Sequence, residues 1–249
     1  MRNTLIIFRR DYREMVVTSA FRTMFVVAAV LTLAVAVGVS VALHLQSWYG
    51  EAELLPLVEF FLGLIVYFLP FMILLSFTWG FSSIQITKEK VNGNIECLMA
   101  TPLGPKALWA GKCLATFVPG FVISLVSVVI ALLAVNLSTV LPGWGTFLIP
   151  EPVLVTGLIA NPVLFGGVLA FIVLFSLAEN PDIAIAPAFL VGFGLMIGIP
   201  AGMATGVIDI MSWNFVLWYT AGAIVMWIVS LLLLRLLTRQ NMVLSSKGS

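Results

Sequence analysis

Few side chains in this sequence can do chemistry. Its 249 residues include 12 Lys and Arg, 11 Asp and Glu, one His and two Cys. Gly111-Lys112 superficially matches the end of a phosphate-binding loop. Such a loop needs glycine five positions earlier, so that backbone amides can close on phosphate, and Ser or Thr immediately after, to ligate magnesium. Lys106 and Cys113 stand there instead, so no nucleotide site is expected. His44 with Glu51 and Glu53 has the donor types for a cation, but an isolated interfacial histidine is better read as making ordinary hydrogen bonds. Cys97 and Cys113 lie 16 apart, fit neither a disulfide framework nor a zinc spacing, and are read as reduced thiols. A membrane-embedded enzyme would need acid, base, nucleophile or metal ligands converging at membrane depth. Glu59, Glu179, Asp182 and Asp209 instead fall near the ends of the apolar segments. No catalytic, cofactor-binding or metal-ligating residue is assigned, and the chain is not expected to be an enzyme.

Composition sets the solvent. Hydrophobic residues make up 61% and charged residues 9%, against about 45–50% and about 25% in a soluble domain. One water-soluble core cannot hide so much apolar material, because a folded chain of this size still exposes surface that needs charge. The bilayer is therefore the medium, and lipid is the first partner. A net charge of +1 with dispersed cations excludes a nucleic-acid partner, and the composition excludes disorder and collagen.

Charge-free stretches predict an all-α, polytopic membrane protein, a single transmembrane domain over 1–249. Its six transmembrane helices fall at approximately 24–45, 57–84, 113–136, 153–177, 183–208 and 214–236, since a charge at mid-bilayer costs ~2.5–3.5 kcal/mol. The uncharged run from Cys113 to Pro150 exceeds one crossing, and Asn136, Pro142, Gly143 and Gly145 are read as the break between helix and outer loop. Every Lys and Arg falls in one of three groups: Arg2 to Arg22, Lys88 to Lys112, and Arg235 to Lys247. The positive-inside rule places all three groups and both termini in the cytoplasm; the plasma membrane of a bacterium or archaeon is the expected location. Trp48, Tyr49, Trp144, Trp213, Trp218 and Tyr219 are expected in an outer aromatic belt. The first apolar run is too long for a signal h-region, and Arg9-Arg10 is followed by too much charge for a twin-arginine signal.

Two segments are not spans. Residues 1–23 carry Leu5, Phe8, Tyr12, Met15 and Ser19 at spacings of three and four, which predicts an amphipathic cytoplasmic helix in the membrane interface. Residues 85–112 form a cytoplasmic loop too highly charged for a hairpin turn. Within it Ile95, Leu98 and Met99 share one face of a short helix that Thr101-Pro102 ends, an exposed docking surface.

The run Lys88-Glu89-Lys90-Val91-Asn92-Gly93-Asn94-Ile95-Glu96-Cys97-Leu98-Met99-Ala100-Thr101-Pro102-Leu103, followed by Gly111-Lys112, resembles the first cytoplasmic loop of ABC type-2 exporter permeases. That family shows an acidic residue, Gly-Thr and a second Glu, Leu-rich sequence into Thr-Pro, and a Gly-Lys pair opening the next helix. Glu89, Gly93, Glu96, Leu98, Thr101, Pro102, Gly111 and Lys112 match; Asn94 stands where Thr is usual, and Cys97 is atypical. Glu179-Asn180-Pro181-Asp182 resembles, less closely, the family's short inner connection before its fifth helix. The resemblance implies the permease subunit of an ABC exporter, paired with a second copy of itself and with two separate ATPase subunits, which bring the ATP and magnesium. It implies coupling to the ATPase through Glu89, Gly93, Ile95, Glu96, Leu98, Met99, Thr101 and Pro102, with Glu179 and Asp182 in a second inner loop. An apolar pathway favours a hydrophobic or amphipathic cargo.

The alternative is a stand-alone secondary transporter or channel, with a membrane enzyme a more distant one. Carriers show buried charges and repeated halves with broken helices. Pro70, Pro119, Pro162, Pro187 and Pro200 lie in or near spans, but neither a repeated half nor a deep charge is evident. Gly194, Gly198, Gly202 and Gly206 recur every fourth residue in the fifth span, a smooth stripe for helix packing inside one subunit or between two.

Overall fold

The computed structural model describes residues 2–47, 49–81, 86, 89, 103–178 and 181–242. These residues are mostly helical, with no strand among them. Helix α1 (Arg2–Val17) and helix α2 (Ser19–His44) are separated by Thr18 alone. The Thr18 hydroxyl donates to the Met15 carbonyl at 2.6 Å and accepts the Phe21 amide at 3.2 Å, so one side chain closes α1 and caps α2. A single 3₁₀ turn then leads into α3 (Leu55–Phe81). Helix α4 (Pro105–Val135) starts with proline in its first turn, where the missing N–H costs nothing.

Beyond α4 the chain differs from expectation. Asn136 does not break the helix: a π turn (Asn136–Val140) carries it into α5 (Leu141–Trp144), and it ends at Gly145, whose φ of +66° suits glycine. Asn136 is buried without penalty because its amide donates to the carbonyls of Leu132 (2.9 Å) and Leu148 (3.1 Å) while its oxygen accepts the Leu148 N–H (2.8 Å). The same element begins at Pro105, not at 113, so Lys106 and Lys112 lie inside it. Helix α6 (Glu151–Val155), a second π turn (Thr156–Ala160) and α7 (Asn161–Ala178) form another continuous rod. Helices α8 (Pro181–Ala204) and α9 (Trp213–Leu233) complete the chain, and Ser212 caps α9 by accepting the Phe215 amide at 3.2 Å.

Five of these rods are long and apolar enough to cross a membrane, and the chain is a multi-pass membrane protein: Ser19–His44, Ala52–Phe81, Pro105–Trp144, Glu151–Ala178 and Trp213–Leu236. The apolar stretch of α8 among the described residues, Phe189–Ala204, is shorter. Helices α3 and α6–α7 form the centre, with 67% and 72% of their apolar windows buried, whereas α2 and α9 bury 22% each and present the rest outward. Two apolar clusters result. The larger runs through the bundle around Tyr67, Phe71 and Phe165; the smaller sits at one end, where Ile7 of α1 meets Ile86, Leu108, Trp109, Leu174 and Leu177.

Candidate functional site

Helix α1 approaches the bundle along Thr4, Ile7, Asp11 and Met15, spaced by three and four, with Ile7, Asp11 and Met15 all buried. This is not the stripe that hydrophobicity selects. Leu5 is 67% exposed, Tyr12 is 37% exposed, and Ser19 belongs to the next helix; only Met15 of the expected face is buried. An acid occupies the middle of the inward face, which an apolar pattern counts as outward.

Gly111 sets how closely α1 lies on α4. A Cβ there would fall 2.7 Å from Ile7 Cβ and 3.1 Å from the Thr4 carbonyl oxygen. At that approach Asp11, one turn after Ile7, stands opposite Lys112, the residue after Gly111. The two are 2% and 4% exposed.

Arg10 and Glu89 close these into a ring. Arg10 Nε donates to Asp11 Oδ1 at 2.8 Å and Arg10 Nη2 to Glu89 Oε1 at 2.9 Å. Lys112 Nζ donates to Asp11 Oδ2 at 3.1 Å and lies 2.7 Å from Glu89 Oε2, an ion-pair contact outside hydrogen-bond angles. Each carboxylate thus spends one oxygen on each cation, and the four charges sum to zero. Glu14 adds an outer contact to Arg10 Nε at 3.7 Å, exposed to solvent. Burial lowers the Arg10 pKa, but Asp11, Glu89 and Glu14 outweigh it and raise the guanidinium above its usual value, so Arg10 stays charged. Buried charges are tolerated only when so matched, and removing one partner leaves another stranded. The ring joins three pieces of chain, α1, the segment carrying Glu89 and the start of α4, so that a pull on any one is transmitted to the others.

A second polar junction lies inside the bundle. Pro70 has no N–H for the Val66 carbonyl four residues back. Gly157, in the second π turn, packs directly on that carbonyl oxygen; any side chain would collide with it. Just beyond, Asn161 donates to the Tyr67 carbonyl (3.1 Å) and accepts the Tyr219 hydroxyl (2.6 Å), tying α3, α7 and α9 together. Tyr219 is therefore a buried strut and not a member of the aromatic belt. Trp213 and Trp218 remain outward, 55% and 79% exposed. At the end of α2, His44 Nδ1 lies 2.8 Å from the Ser40 carbonyl and its ring stacks on Tyr49 at 4.6 Å, the ordinary role expected for it.

Of the residues singled out by sequence, Glu89 and Lys112 are brought into a charged cluster, where the Glu89 carboxylate is occupied by Arg10 and Lys112. Gly93, Ile95, Glu96, Leu98, Met99, Thr101, Pro102 and Glu179 lie outside the described residues; Asp182 falls in the first turn of α8. The glycine stripe divides. Gly194 and Gly198 face open space, Gly202 meets Ile208 of the following loop, and Gly206 lies beyond the helix with a φ of +72°. The glycine against which the bundle packs is Gly192, where a Cβ would fall 2.5 Å from Trp79 and 2.6 Å from Leu75. Gly194 instead borders a groove of about 470 Å³ between α8 and α9. Asp11 and Arg10 escaped the sequence reading; the signal for Asp11 was an acid between Ile7 and Met15 on one helical face.

Neither a protein-family model, nor a curated protein, nor a solved structure matches this chain.

Proposed function

We propose that this chain is the membrane-spanning permease subunit of an ABC transporter, similar to the type-2 exporters, working as two copies with two separate ATPase subunits. Its six spans include α8, its termini face the cytoplasm, and its cargo is hydrophobic or amphipathic. The observation that carries this reading is the ring of Arg10, Asp11, Glu89 and Lys112. It lies where the resemblance puts the coupling segment, and it ties that segment to α1 and to the first turns of α4. Force from an ATPase seated on Ile95, Glu96, Leu98 and Met99 would reach α4 through Glu89. Glu89 thereby acts as a strut within the subunit and Glu96 as the outward contact. The polar groups deep in the bundle, Asn161, Tyr219 and Tyr67, are uncharged, which favours this reading over an ion-coupled carrier.

Co-purification with a co-expressed ABC ATPase, followed by ATP-dependent transport in vesicles, tests the proposal. Glu96→Lys should leave insertion intact while weakening ATPase association and abolishing transport. Transport equal to the parent with the ATPase still bound reassigns docking to Ile95, Leu98 and Met99. Transport driven by an ion gradient without any ATPase overturns the reading.

A further inference from the structure

The face of α1 turned away from α4 has a distinct chemistry. Arg9 and Arg13, one turn apart, are exposed and make no ion pair among the described residues. They lie nearly opposite Ile7 and Asp11 on the helix, flanked on one side by Leu5 and Tyr12 and on the other by Ile6 and Val17. These four apolar side chains are 67%, 37%, 58% and 70% exposed. A soluble partner is a poor match for so much bare apolar surface around two unpaired guanidinium groups. A phospholipid is a good one: its phosphate takes two arginines and its acyl chains take the flanks.

The elbow fixes where this face lies. Thr18 alone separates α1 from α2, and the outward apolar residues of α2 begin at Phe25. Seven residues of helix rise about 10 Å, so α1 ends within about one headgroup layer of the hydrocarbon-facing surface. We propose that Arg9 and Arg13 form a binding site for the phosphate of an anionic phospholipid in the leaflet facing α1, with Leu5, Ile6, Tyr12 and Val17 against its acyl chains. The bound lipid holds α1 from one side while the Asp11–Lys112 pair holds it from the other. The inference depends on the chain being a membrane protein and not on its cargo or its ATPase.

The test is lipid binding to the full-length chain in detergent, read by native mass spectrometry during titration with phosphatidylglycerol and, separately, phosphatidylcholine. Phosphatidylglycerol should bind about 25-fold more tightly. Each surface cation contributes about fivefold to attraction for an anionic lipid, so Arg9→Gln with Arg13→Gln should remove about 25-fold of that preference. The paired Lys substitutions, which keep the charge, should retain most of it. Arg239→Gln, on the far terminal segment, should leave it unchanged. In the unmodified chain, ~1 M salt, which shortens the screening length to ~3 Å, should abolish the preference. Equal binding of the two lipids overturns the proposal. So does an undiminished phosphatidylglycerol preference in the double Gln variant, which would mean that the lipids sit elsewhere.

Discussion

Ile7 fills the space that a side chain at Gly111 would need, and this one approach brings Asp11 to Lys112. The close neighbour is the branched Cβ of a helical residue, which cannot swing aside as the end of a long side chain could. Gly111→Ala should therefore destabilise by ~1–3 kcal/mol through overpacking, although alanine gains up to ~1 kcal/mol of helix propensity over glycine. Adding Ile7→Gly, which removes both the Cβ and the Cγ2 that the new methyl meets, should recover part of the loss. Thermal unfolding of the four proteins measures this, and strictly additive effects would show that α1 does not press on Gly111.

The charge ring predicts strong coupling. Lys112→Met leaves Asp11 and Glu89 buried with only Arg10 between them and should cost ~3–5 kcal/mol. Asp11→Leu alone should cost a similar amount, because Lys112 then keeps one partner. The double variant leaves a neutral Arg10–Glu89 pair and should be more stable than either single one. A double-mutant cycle with no coupling energy would contradict the ring.

Asn161 joins three helices through two hydrogen bonds. Tyr219→Phe removes one of them and should cost about 0.6–1.7 kcal/mol, the span for such bonds between membrane helices. Asn161→Ala strands both the Tyr67 carbonyl and the Tyr219 hydroxyl and should cost more. A reversal of that order, measured by unfolding in detergent, would mean that Tyr219 and not Asn161 is the hub.

Glycines in this chain should respond to alanine in opposite ways. At Gly157 the added methyl meets the backbone of Val66, which cannot yield, so Gly157→Ala should prevent stable folding. At Gly194 and Gly198 a methyl meets nothing within the chain, and alanine should be neutral or stabilising by up to ~1 kcal/mol. If Gly198→Leu leaves the folded subunit intact but dissociates a dimer by light scattering, the open stripe is an intersubunit contact.

The confinement of every Lys and Arg to three groups predicts the topology. In a variant lacking Cys97 and Cys113, cysteines at Ser47 and Thr146 should react with an impermeant maleimide from outside intact cells, and one at Gln240 only after permeabilisation. All three positions are exposed. External labelling at Gln240 would refute the six-span arrangement.

Much of the architecture was legible in the chain because membrane helices are selected by local hydropathy, which needs no partner. Five apolar rods and the helical start follow from stretches read one at a time. The misreadings share one cause. Asn136, Asp11, Lys112 and Tyr219 are polar side chains assigned outward or to a break by their own chemistry, and each is buried because a group distant in sequence satisfies it. Asn136 is carried by Leu148, Asp11 by Lys112 across 101 residues, and Tyr219 by Asn161 across 58. Sequence by itself determined that the chain is helical and membrane-spanning and where its cations collect along the chain, because transfer free energy sums over neighbours in sequence. Only the tertiary structure decided which face of α1 turns inward, which glycines are crossed and which charges are buried, because the energy of a buried polar group depends on whether another segment arrives to pair with it.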